Sequence, residues 1–164
     1  MNNLCENYEK IDVYNYLMEL YIDTIHKLID SSYSLGILPF KIIMGMNWIK
    51  KHVSENKIDT LQNGILYLLT NKDIILNFDI ANLDELDEDS DDNMSIKSCV
   101  NKFKNNNNVQ PFPMQNISTQ DDMLNLIIEI KNNTKKLSND DIIIIKKYFE
   151  LLIIILEKIK NLFL

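Results

Sequence analysis

The C-terminal segment restricts the fold more than any other part of the sequence. Residues 140–164 read DDIIIIKKYFELLIIILEKIKNLFL, in which isoleucine and leucine dominate. A membrane-spanning helix needs about 20 predominantly apolar residues. The longest uninterrupted apolar run here is only the six residues from Leu151 to Leu156, with Glu150 before it and Glu157 after it. We therefore reject a transmembrane helix for this segment.

The same segment has the periodicity of a helix that packs against another helix. Apolar residues recur at alternating intervals of three and four, the heptad rhythm of a packing seam. This seam consists of Ile142, Ile145, Phe149, Leu152, Leu156, Ile159 and Phe163. At 100° per residue, neighbouring apolar residues widen the face to about 200° of the circumference. One adjacent helix cannot cover so wide an arc.

Three kinds of partner could cover the remainder of this face: the N-terminal part of the same chain, a second copy, or a different protein. The first ranks highest, because the central helix of a bundle is apolar over most of its surface. An in-plane membrane helix ranks last, because its lysines are balanced by glutamates. The predicted interaction face consists of Ile144, Tyr148, Leu151, Leu152, Ile155, Ile159 and Leu162.

The N-terminal half of the chain predicts three further helices. Helical spacing of apolar residues extends over about 8–32, ends near Gly36, and resumes over 39–53. A third helix is expected to begin with a cap at 59 or 60 and to end near 71. The stretch 73–81 fits a short helix and a strand equally well.

Composition changes abruptly after these helices. Seven of the nine residues in 84–92 are acidic, and four consecutive asparagines follow at 105–108. Such a segment buries too little apolar area to offset the entropy lost on ordering. We therefore interpret 84–117 as a flexible linker.

Two more helices follow this linker. Ser118 or Thr119 and then Ser138 are expected to be N-caps, each followed by acidic residues that complement the helix dipole. Because the connection between the two helices is short, they should form an antiparallel hairpin. The sequence thus predicts an all-α fold of about five helices: an N-terminal three-helix unit in 1–83 and a C-terminal hairpin in 118–164, packed as one domain.

Charge and composition exclude several functions. The net charge is −7 and none of the basic residues is arginine, which argues against binding to nucleic acid. The 26 isoleucines and 22 asparagines indicate an AT-rich genome, as in some protists and large DNA viruses. Only two cysteines and no apolar signal region favour an intracellular, cytoplasmic location, with incorporation in a virion as a further option.

The sequence contains no recognisable catalytic, cofactor or metal site. Three scattered glycines do not form a phosphate-binding loop. The cysteines and histidines lie 21, 26 and 47 residues apart, too far for the spacing typical of structural zinc. The acidic run departs from a calcium-binding loop where that loop needs its turn glycine and its final glutamate. We therefore expect no cofactor.

These observations favour a non-enzymatic helical protein that acts through protein–protein contacts, as a structural component or an accessory subunit. Its partner would be another protein or a second copy, bound through the C-terminal helix. One alternative is a helical bundle that sequesters an amphipathic helix of a host protein in a groove, in the manner of small viral Bcl-2-like proteins. Another is an enzyme whose site has no recognisable motif.

Overall fold

The computed structural model describes residues 2–77 and 120–163, and every regular element in these two ranges is a helix. The predicted all-α fold is therefore confirmed. The elements are α1 (Asn2–Ser34), α2 (Phe40–Glu55), α3 (Lys57–Gly64), a π-helical segment (Ile65–Leu69), α4 (Lys72–Leu76), α5 (Gln120–Thr134) and α6 (Asn139–Leu162). The predicted linker 84–117 lies outside the described residues.

The two longest helices, α1 and α6, form the centre of the fold. Near one end of the pair, the rings of Tyr14 and Phe163 meet edge to face with centroids 5.4 Å apart. Near the other end, the Ser31 hydroxyl donates a hydrogen bond of 3.3 Å to the Tyr148 hydroxyl. Since residue numbers rise along one helix as they fall along the other, α1 and α6 run antiparallel.

The core lies between α1 and α6 and is closed on one side by α3. Its buried residues come from both of the helical units that the sequence predicts. They are Leu17, Met18, Tyr21, Ile22, Leu61, Leu152, Ile155, Leu156 and Ile159. Full burial of one such side chain stabilises the fold by about 1.5–3 kcal/mol. This apolar cluster therefore supplies most of the driving force that holds the two units together.

A close backbone approach brings α3 onto this core. A Cβ atom added to Gly64 would lie 2.0 Å from the Tyr21 hydroxyl oxygen and 3.3 Å from a methyl carbon of Leu156. Only glycine fits here without movement of a buried ring. Directly after Gly64 the helix widens into the π-helical segment, which packs against α6.

Helix α1 ends in a Schellman motif that turns the chain toward α2. Gly36 has a φ of 71°, which is a favourable conformation for glycine. The amide of Gly36 donates to the Tyr33 carbonyl at 3.0 Å, and that of Ile37 donates to the Ser32 carbonyl at 2.9 Å. The predicted break near Gly36 is confirmed, and Pro39 takes the N-cap position of α2.

The predicted N-cap of the third helix is wrong by three or four residues, because Asn56 and not residue 59 or 60 takes that position. Helix α3 begins at Lys57, and the Asn56 side chain donates to the His52 carbonyl at 2.9 Å. Asn56 therefore ends α2 and directly precedes α3, so no separate cap at 59 or 60 is needed. In the ambiguous stretch 73–81, the residues up to Leu76 belong to the short helix α4, and 78–81 lie outside the described residues.

Helices α5 and α6 follow each other after a short turn. The predicted cap at Ser138 is confirmed: its hydroxyl accepts the Asp141 amide at 3.2 Å, and the Asp141 carboxylate accepts the Ser138 amide. Helix α5 is joined to the N-terminal unit by a hydrogen bond of 3.1 Å from the side-chain amide of Asn133 to the Ile37 carbonyl. The predicted caps at 118 and 119 lie outside the described residues.

Candidate interaction surface

The predicted interaction face of α6 divides into a buried part and an exposed part. Leu152, Ile155 and Ile159 are each only 2% exposed and belong to the core cluster against α1. Within the chain, α1 and α3 therefore cover this part of the face. These three residues hold the fold together and expose almost no surface to another molecule.

The other predicted residues lie at the edge of the buried arc. Ile144 and Leu151 are exposed, at 44% and 39%, whereas Tyr148 and Leu162 are half-buried. On the opposite edge, Ile153 is only 3% exposed. The arc that the molecule buries is thus displaced toward Ile153 and away from Leu151.

This displacement leaves an apolar strip on the outside of α6. Ile143 and Ile154 are nearly half exposed and lie on the same side of the helix as Ile144 and Leu151. We call Ile143, Ile144, Leu151 and Ile154 the outer strip. The intervals between residues 144, 147, 151, 154 and 158 are again three and four, and positions 147 and 158 are exposed lysines. The strip therefore has the spacing of a helix-packing seam, with two positive charges in it.

Helix α2 carries a second exposed apolar surface, which the sequence analysis missed. Phe40, Met44 and Trp48 are 69%, 73% and 39% exposed and recur at every fourth residue, so they form one ridge along the helix. We call these three residues the α2 stripe. The Trp48 ring also stacks on the His52 ring with centroids 4.9 Å apart.

The signal for the α2 stripe is present in the sequence. Its residues lie on the opposite side of α2 from the apolar face toward α1. Helix α2 is consequently apolar on two sides. A helix that is apolar all round is normally buried, yet no residue of α2 is buried. The spacing of residues 40, 44 and 48 is therefore the sequence signal of the stripe.

An open apolar depression of about 390 Å³ lies where α1, α3, the π-helical segment and α6 meet. It is lined by Tyr14, Leu61, Ile65, Ile159, Lys160 and Phe163. Lys160 supplies the one ionisable amine of this lining, and the remaining contacts are apolar apart from the Tyr14 hydroxyl. The depression therefore offers apolar contact and no arrangement of groups for acid–base or nucleophilic chemistry.

The half-buried histidine of α1 has a structural role. The Nε2 atom of His26 lies 3.1 Å from the Lys50 carbonyl and 3.1 Å from the Ser54 hydroxyl. An ion pair of 2.5 Å between Lys50 and Asp30 lies one turn away. These contacts fix α2 against the C-terminal half of α1.

Within residues 2–77 and 120–163, no group of three or more histidine, cysteine, aspartate or glutamate side chains is arranged to hold a metal ion. In the same two ranges, no helix combines the length and the apolar character needed to cross a bilayer. Charged residues within α6 interrupt its apolar sequence.

Over residues 2–77 and 120–163 the protein is all-helical and has exposed apolar strips on α2 and α6. Comparison with protein-family models, with curated proteins and with solved structures gave no match.

Proposed function

We propose that the chain is a non-enzymatic interaction protein, a structural or accessory subunit, that binds another protein through the outer strip of α6. The observation that supports this proposal most strongly is the exposure of Ile144, Leu151 and Ile154 at helix-packing intervals outside the buried arc of α6. An apolar strip of this length on a surface helix is typical of a protein–protein contact.

The chemistry of the strip favours a helical partner with acidic residues. A partner helix would place apolar side chains against Ile144, Leu151 and Ile154 and carboxylates opposite Lys147 and Lys158. Charge pairs at the edge of such a contact set orientation and partner choice more than affinity. The proposal includes action inside the cell, in the cytoplasm or within a virion, in agreement with the small number of cysteines.

Affinity purification from cells that naturally express the chain, followed by mass spectrometry, tests this proposal. We expect a protein that is retained by the wild-type chain and lost with Leu151→Asp/Ile154→Asp, since two buried carboxylates would have no partner in an apolar contact. The matched control is Lys146→Gln/Lys160→Gln, which changes two lysines of the same helix outside the outer strip and removes no apolar group.

Circular dichroism of both variants must show the wild-type helix content, so that loss of binding is separated from loss of fold. The proposal is contradicted if the folded Leu151→Asp/Ile154→Asp variant retains every protein that the wild-type chain retains.

A further inference from the structure

We propose that the chain associates with itself, and that the N-terminal part of α1 in one copy docks on the α2 stripe of another copy. This contact uses neither the outer strip of α6 nor any residue of the core. It goes beyond the proposed function and stands or falls independently of it.

The α2 stripe has the properties of one half of such a contact. Phe40 and Met44 project further into solvent than most large apolar side chains of the described residues, and Trp48 is held in place by the stacked His52 ring. Large, exposed aromatic and methionine side chains are enriched where proteins bind each other. The ridge is two turns long, which is long enough to pack against one helix.

The N-terminal part of α1 has the properties of the other half. Every side chain from Glu6 to Val13 is exposed, and Tyr8, Ile11 and Tyr16 are each at least half exposed. At 100° per residue, Tyr8, Ile11 and Tyr16 lie within about 140° of the circumference. We call residues 6–16 the α1 arm.

The charges of the two surfaces are complementary. Helix α2 has three lysines and one glutamate, and it is the one helix of the described ranges with a net positive charge. The α1 arm has Glu6, Glu9 and Asp12 against a single lysine, Lys10. In the proposed contact an acidic helix with apolar side chains meets a basic one, so the two net charges are opposite and attract each other.

The lysines beside the α2 stripe are only weakly engaged within the chain. Lys41 lies 3.7 Å from an Asp122 oxygen, and Lys51 lies 3.7 Å from a Glu55 oxygen, with lysine side chains 50% and 71% exposed. Exposed ion pairs of this length contribute little to stability. Lys41 and Lys51 can therefore turn toward carboxylates of another copy at low cost.

The two surfaces of one copy cannot reach each other. His26 and Asp30 fix α2 beside the C-terminal half of α1. Asp12 lies about 21 Å from His26 along the same continuous helix, at 1.5 Å per residue. The α1 arm can therefore meet an α2 stripe only in a different molecule.

The shapes of the two surfaces also agree. Residues 8, 12 and 16 of the arm repeat at every fourth position, as do residues 40, 44 and 48 of the stripe. Ridges of this spacing interdigitate in the packing geometry that is commonest between helices of globular proteins. Copies joined by one such contact would form a ring or an open chain, and two copies joined by two reciprocal contacts would form a two-fold dimer.

Complementary charge reversal tests the proposal. The basic side is reversed in Lys41→Glu/Lys51→Glu, and the acidic side in Glu9→Lys/Asp12→Lys. Sedimentation velocity of the wild-type chain should show species larger than the monomer that increase with concentration. Each variant alone should self-associate about tenfold more weakly than the wild-type chain, or not at all, because like charges then face each other. An equimolar mixture of the two variants should regain wild-type association, since each reversed surface then meets a complementary one.

The control variant Lys27→Glu/Lys136→Glu reverses two exposed lysines elsewhere and should associate like the wild type. Met44→Ser, which removes apolar contact without changing charge, should also weaken association, and it provides a second test if a charge variant misfolds. The proposal is overturned if the wild-type chain remains a monomer up to about 1 mM, or if the variant mixture does not regain association. Leu151→Asp/Ile154→Asp should leave this association unchanged, so failure here and failure of the α6 proposal give different results.

Discussion

Tyr21 and Gly64 are in direct contact in the core, and each depends on the identity of the other. The ring of Tyr21 occupies the space that a side chain at position 64 would need. Burial also raises the pKa of the Tyr21 phenol to about 12, because an ionised phenolate is poorly solvated there. The sequence predicts Tyr21 as a core residue from its helical spacing. It does not predict the role of Gly64, since that contact joins elements far apart in the chain.

The raised pKa of Tyr21 predicts a loss of stability at high pH. Below about pH 10 the phenol is protonated in both the folded and the unfolded chain. Between about pH 10 and 12, the unfolded chain loses this proton and the folded chain keeps it. The free energy of unfolding should therefore fall by about 2–3 kcal/mol across this range. Urea denaturation at several pH values measures this fall.

The control for this effect is Tyr21→Phe, which keeps the buried ring and has no phenolic proton. Its stability should decrease less steeply than that of the wild-type chain between pH 10 and 12. If the two proteins lose stability in parallel, the pKa of Tyr21 is not raised by the fold.

At the scale of helices, the sequence predicts existence better than boundaries. The first, second and last helices were expected from long apolar periodicities, and all three are present. The predicted start of α3 differs from the observed start because one residue, Asn56, both ends α2 and precedes α3. A single side chain in two roles cannot be distinguished in sequence from two separate caps.

The capping box at Ser138 predicts a measurable effect of one hydroxyl on α6. Ser138→Ala removes the acceptor of the Asp141 amide and should lower the free energy of unfolding by about 1 kcal/mol. Thermal or urea denaturation measures this change. Asn139→Ala alters an exposed neighbour within the same turn and should have less than half this effect. Equal effects of the two substitutions would show that the capping hydrogen bonds do not contribute.

At the scale of the whole molecule, the sequence predicts that one neighbour cannot cover α6, but it does not predict which side remains exposed. The apolar arc extends on both sides of the central seam, through Leu151 on one edge and Ile153 on the other. In the folded chain Ile153 is buried and Leu151 is exposed. That choice depends on tertiary packing, which helical periodicity alone does not contain.

The α2 stripe was missed for a related reason. The periodicity of Ile42, Met46, Ile49 and Val53 accounts for the side of α2 toward α1, so a second apolar side had no evident place in a compact bundle. Exposure of Phe40, Met44 and Trp48 becomes visible only when the other helices are in position. An exposed apolar surface adds nothing to the core of its own chain, so the apolar pattern that predicts the core does not predict it.

The central claim is that α6 has a core face and a separate outer strip, and two adjacent residues test it most directly. Leu152 is 2% exposed and Leu151 is 39% exposed, so the same change to aspartate should have different consequences. Urea denaturation followed by circular dichroism should show that Leu152→Asp abolishes cooperative unfolding, because it buries an unpaired carboxylate. Leu151→Asp should retain the fold within about 1 kcal/mol. Equal destabilisation by both substitutions, or a stable Leu152→Asp, would contradict the claim.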